Sequence, residues 1–131
     1  MLISIQDLDA YTAPCNSHLY IEEKLTKSDG SKATKLEFVN NGIAFIFREI
    51  RYELNGIVVD SVRNVGLVSI IKNYLSYKES ESVLFENAGW FPKKITPTTS
   101  PNKKILLDSN GNFNICIPMK LLLGFFEIFV N

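Results

Sequence analysis

A chain of 131 residues has room for one domain, and an apolar share of 46% can give that domain a core. Fourteen basic residues balance fourteen acidic ones, so the formal charge is zero and neither a nucleic-acid footprint nor an anionic membrane partner is indicated. Cys15 and Cys116 lie far apart and form no CxxC, which reads as a reduced intracellular pair rather than a disulfide framework.

Residues 1–16 mix small polar types with Pro14 and read as an N-terminal arm that docks on something else. Met1 to Ile5 lacks a basic stretch and a long apolar run, so no secretory signal is read there. Residues 18–25 form a predicted strand with Leu19 and Ile21 on one face, followed by a turn at 28–31. A second strand is expected at 34–40, then a turn at Asn41-Gly42 and a long strand over 43–54. The first part of that strand, IAFIF, is uniformly apolar, as if covered on both faces. Its second part alternates, with Ile50, Tyr52 and Leu54 against Glu49, Arg51 and Glu53. Asn55-Gly56 is the strongest signal in the chain. Flanked by alternating apolar residues, it predicts a type I′ hairpin, in which both central residues take positive φ.

A short return strand is expected at 57–59, with Asp60-Ser61 as N-cap of a helix over 62–77. Leu67, Ile70, Ile71, Tyr74 and Leu75 follow its 3.6-residue period, and Gly66 makes a later start plausible. Residues 78–82 read as a charged linker, and 83–85 as a strand fragment or a second helical turn. An aromatic knot follows at 88–92, then a Pro/Thr/Ser-rich surface loop bounded by the lysine doublets of 93–104. A tight turn at 108–112 leads into a strand at 113–117. The segment 115–130 is broken by Pro118, Lys120 and Glu127 and falls short of the ~20 residues of a membrane span, so it reads as core. Short strands separated by turns, with one inserted helix, predict a mainly β fold, a sandwich or jelly roll.

Reactive chemistry is sparse. His18 and Cys15 are the only conceivable nucleophile pair, and their spacing matches no known mechanism. One histidine and two distant cysteines offer no metal-ligand set. Glu22-Glu23 and Glu49/Glu53 are carboxylate pairs; the second has Arg51 between its members, the mark of a solvated or cross-strand-paired face. Trp90 with Phe91 reads either as a stacking platform for a glycan or as a packing anchor beside Pro92. No catalytic, cofactor or metal residues are assigned.

The run IAFIFREIRYELNGIVVDSVRNVGLVSIIKNYLS, with ENAGW and FNICIPMKLLLGFFE after it, resembles the double jelly-roll-like domain found in invertebrate genomes. That domain is similar to the major capsid proteins of Polinton (Maverick) and adintovirus-type elements. In that pattern a strand enters an N-G-x-x-x-D hairpin, a helix follows, and a later aromatic strand ends in I-P-[LM]. The counterparts here are Asn55, Gly56 and Asp60, and the Ile117-Pro118-Met119 block. The resemblance covers about residues 40–127, and the closing EIFVN departs from the acidic-aromatic continuation of the family.

It implies an antiparallel jelly-roll sandwich, the first roll of a double one and incomplete in this chain. Residues 17–131 would form one partial domain behind the arm, with 93–104 as a surface loop. It also implies a structural capsid-like protein of a virus-derived integrated element, not an enzyme. Such a protein self-associates or joins other capsid subunits, as a trimer in the intact family protein, with no cofactor, nucleic-acid, membrane or small-molecule partner. Its place would be the virion when assembled and otherwise the cytoplasm or nucleus. Tyr74, Tyr77, Trp90 and Phe91 would be packing residues. A β-sandwich module binding glycan or protein through Trp90 is the alternative.

Overall fold

The computed structural model describes residues 2–5, 13–32, 38–92 and 107–127. Most of the expected strand at 34–40, the loop at 93–104 and part of the N-terminal arm lie outside the described residues. Among the described residues, four strands form two small two-stranded antiparallel sheets. The first sheet pairs β1 (His18–Lys24) with β4 (Asn112–Pro118), in register from His18 opposite Pro118 to Lys24 opposite Asn112. Strict alternation builds β4, with Phe113, Ile115 and Ile117 buried while Asn112 and Asn114 face water. Leu19 and Ile21 of β1 lie opposite Ile117 and Ile115 and extend that apolar face. The turn entering β4 is closed by Asp108, whose Oδ1 accepts the N–H groups of Asn110 and Asn112 at 2.7 and 2.8 Å. Those donors, Asn112 foremost, hold the Asp108 carboxyl below its usual range.

The second sheet is the hairpin of β2 (Glu49–Leu54) and β3 (Ile57–Arg63). Asn55 and Gly56 have φ of 51° and 77°, the double positive φ that the turn demands. Tyr52 pairs with Asp60 but Glu53 with Val58, so Val59 is an extra residue, a β-bulge just below the tip. Below the bulge, Ile50 and Val62 pair on the packed side. On the wet side Glu49 meets Arg51 at 2.9 Å and Arg63 at 3.7 Å. Hydrogen bonding to Arg51 keeps the Glu49 carboxyl below its ordinary range.

Three sequence expectations change. Residues Gly42–Ile46 form a short 3-10 helix, not a strand: Asn41 sits at φ 58° and turns the chain, burying Ile43 and Ala44 and leaving Phe45 and Ile46 exposed. The return strand runs to Arg63, so Asp60 lies inside it and is no helix cap. A helix starting at Val62 would forfeit the Ile50–Val62 pair and the Glu49–Arg63 ion pair. Helix α1 therefore spans Val65–Ser76, entered through Asn64 at φ 53°. Residues Glu79–Ala88, expected as a linker and a strand or helical fragment, form one 3-10 helix that buries Phe85 and Ala88.

The core lies between β4 and these helical turns, with Trp90, Leu121, Leu122 and Ile43 among its fully buried members. Pro118 ends β4 and starts a 3-10 turn, Met119–Leu121, whose Met119 N–H bonds back to the Ser17 carbonyl at 2.9 Å. Among the described residues, no helix is long and apolar enough to cross a membrane.

Candidate functional site

The residues singled out from the sequence hold different joints of the fold. Asn55 and Gly56 form the hairpin tip. Asp60 Oδ2 accepts the backbone N–H of Phe125 at 2.9 Å, tying the hairpin to the C-terminal segment. The Tyr52 ring stacks on Phe125 at 5.5 Å and meets Phe126 edge-on at 4.8 Å. Pro118 sits opposite His18, whose Nδ1 lies 2.8 Å from the carbonyl of Asn16. Trp90 is 1% exposed, its ring centre 4.9 Å from that of Tyr74, so it offers no stacking face to a glycan.

Helix α1 organises what remains. On its inner side Val65, Gly66, Ser69 and Asn73 are buried, and Ile70 is half-buried against the core. Gly66 is required there, because a Cβ would come within 2.4 Å of the Phe45 ring lying across it. Asn41 Nδ2 donates to Ser69 Oγ at 2.7 Å, and Ser69 Oγ donates to the Gly66 carbonyl at 3.2 Å. The same asparagine donates its N–H to Gly89 at 2.7 Å, while Asn40 Oδ1 accepts from Phe91 N–H at 2.6 Å. These four bonds clamp helix, turn and aromatic knot together. Asn73 is fully buried, and its side-chain amide has no hydrogen-bond partner among the described residues.

Lys72, the single charged residue of α1, also turns inward. Its Nζ pairs with Glu127 Oε1 at 2.9 Å and reaches the Lys120 carbonyl. Tyr77 donates its hydroxyl to the same Glu127 oxygen at 2.9 Å. Burial, reinforced by that carboxylate, pushes the Tyr77 phenol well above its ordinary value and keeps it a donor. With Lys72 committed inward, the outer face of the helix has no charge at all. Leu67, Val68, Ile71, Tyr74 and Leu75 lie exposed along it, at spacings of three and four residues that make them neighbours. At its N-terminal end an open hollow of about 300 Å³ is lined by Phe45, Phe47, Arg48, Asn64, Gly66 and Leu67.

Among known proteins, the family model of the double jelly roll-like domain matches residues 36–131, most of the chain. The chain belongs to the double jelly roll-like domain family. No curated protein and no solved structure matches it. The matched span of the double jelly roll-like domain includes the hairpin, α1, Trp90 and β4, whereas β1 precedes it.

Sequence reasoning assigned Tyr74 and Tyr77 to packing. Tyr77 is half-buried against Phe85; Tyr74, though 52% exposed, sets its ring steeply against Trp90 and donates its hydroxyl to the Pro92 carbonyl at 3.1 Å. The Lys72–Glu127–Tyr77 tie and the outward turn of the apolar stripe were not read. One signal for the second was present: a surface helix carries charges opposite its apolar stripe, and opposite this one stand only Gly66, Ser69 and Asn73.

Proposed function

We propose that this chain is a structural, capsid-like subunit of a virus-derived integrated element of the Polinton or adintovirus type, working through self-assembly surfaces and having no catalytic role. The observation that carries the reading is the double jelly roll-like family match over residues 36–131. In this reading the β1–β4 and β2–β3 pairs are parts of a jelly-roll sandwich, whose packed sheets leave broad sides and loops free for neighbouring subunits. The partners are further copies of the chain or other capsid subunits, in a trimer as the family resemblance implies, and the location is the virion once assembled. The uncharged apolar outer face of α1 supports a role in contacts rather than chemistry.

The test is genomic and physical. Flanking DNA translated in all frames is expected to encode a second jelly roll and, nearby, packaging or polymerase genes. The purified protein is expected to form regular assemblies in negative-stain electron microscopy. Flanking DNA without such genes, together with a protein that forms no assembly at any concentration, would overturn the reading.

A further inference from the structure

We infer that Asn55 is a modification site, where the chain deamidates through a cyclic imide and the hairpin tip gains a negative charge. The inference stands apart from the self-assembly reading, because it concerns one peptide bond within a single chain.

Asn-Gly occurs three times, at Asn41-Gly42, Asn55-Gly56 and Asn110-Gly111. In each, the glycine nitrogen can attack the asparagine side-chain carbon Cγ, since glycine has no side chain to obstruct the approach. The N–Cγ bond forms, the Cγ–Nδ2 bond breaks, and ammonia leaves with the proton displaced from the glycine. Water then opens the five-membered imide. Opening at Cγ leaves aspartate, and opening at the backbone carbonyl carbon leaves isoaspartate, with the chain rerouted through Cγ. No co-reactant beyond water is needed.

The reaction demands a free glycine N–H and a side chain free to turn onto it, and the fold grants these unequally. At Asn41 both are withheld. The residue is 4% exposed, its Nδ2 donates to Ser69 Oγ at 2.7 Å, and Gly42 N–H donates to the Val39 carbonyl at 2.9 Å. At Asn110 the side chain is exposed, and the Lys32 ammonium, 2.9 Å from Oδ1, even polarises the amide. The attacking nitrogen is nevertheless held, because Gly111 is buried and its N–H donates to the Asp108 carbonyl at 3.0 Å. At Asn55 neither restraint exists. Both turn residues are exposed, and among the described residues neither the Asn55 side chain nor the Gly56 N–H has a hydrogen-bond partner. Nothing lies within 4 Å of the point a Gly56 Cβ would occupy.

The product alters the turn that made it. One added acid against an even balance of fourteen and fourteen takes the formal charge from zero to −1, at a tip whose Leu54, Ile57 and Val58 are exposed. Isoaspartate in addition inserts one backbone carbon into a two-residue loop whose length sets the register of β2 and β3.

Peptide mapping by mass spectrometry tests this on the full chain, held folded at mildly alkaline pH and, in parallel, unfolded in urea. In the folded protein Asn55 is expected to show the mass increase of an amide turned to acid about tenfold faster than Asn41 or Asn110, the scale of one hydrogen bond withheld from the nucleophile. In urea the three sites, alike at the reacting bond, are expected to react at similar rates. Asn55→Gly, which keeps a residue at ease with positive φ, is expected to fold and to lose the acidic species that grows in the wild type on ion-exchange chromatography. Asn41 or Asn110 reacting as fast as Asn55 in the folded protein, or an acidic species that grows unchanged in Asn55→Gly, overturns the inference. So does an Asn55 that stays intact in the folded protein while it reacts in urea.

Discussion

Asn73 is the residue whose energetics run most plainly against the fold. Its amide is fully enclosed, and neither its nitrogen nor its oxygen finds a partner among the described residues. A buried unpaired polar group costs about 1–3 kcal/mol, and asparagine is in addition a weaker helix former than leucine. Ser69, one turn earlier on the same buried side, shows the contrast, because its hydroxyl is bonded both to Asn41 and to Gly66. Asn73→Leu, which keeps the branched skeleton but is bulkier and lacks the orphaned amide, is expected to stabilise the protein by about 1 kcal/mol once overpacking is set against the amide's cost. Differential scanning calorimetry would register this as a higher midpoint; a lower one would show that the amide is needed where it stands.

At the scale of elements, the joint between the β2–β3 hairpin and the C-terminal segment depends on one carboxylate. Asp60 accepts the Phe125 N–H, and the Tyr52 ring packs on Phe125 and Phe126 beside it. A hydrogen bond to a charged acceptor contributes about 1.5–3 kcal/mol, so Asp60→Ala should loosen the segment while Asp60→Asn, which keeps a carbonyl acceptor, should loosen it less. Native-state hydrogen exchange can follow the Phe125 amide alone. Its protection is expected to fall in Asp60→Ala, with the β4 amides little changed.

The same joint shows which features could be read from the sequence. The Asn55-Gly56 turn and the alternation of β4 are local, since each residue's neighbours along the chain decide its conformation, and both were legible. Asp60-Ser61 resembles a helix cap because a cap is also local, but the true partner of Asp60 is Phe125, 65 residues on. Residues 43–47 could as well be strand as buried helix by periodicity, and the matter is settled by Asn41, held by Gly89 and Ser69 from distant parts of the chain. Helical spacing marked the stripe of α1 but not the way it faces, since its buried side meets Phe45 and Asn41, more than twenty residues earlier in the chain.

For the whole molecule, the forces between copies follow from what lies exposed. Along the outer face of α1 and at the hairpin tip, Leu54, Ile57, Leu67 and Leu75 are open to solvent, while the formal charge sums to zero and the isoelectric point lies near 6.6. Self-association near neutral pH should then be driven by apolar burial, with little net charge to oppose it. Contacts between exposed charges weaken as salt shortens the Debye length from ~10 Å at 0.1 M to ~3 Å at 1 M, whereas apolar contacts do not. Sodium sulfate, excluded from protein surface, strengthens burial further. Association constants from sedimentation equilibrium are therefore expected to hold steady from 0.1 to ~1 M sodium chloride and to rise in sulfate. A steep fall with sodium chloride would assign the contact to the exposed acids and basic residues of β1 and the hairpin rather than to apolar surface.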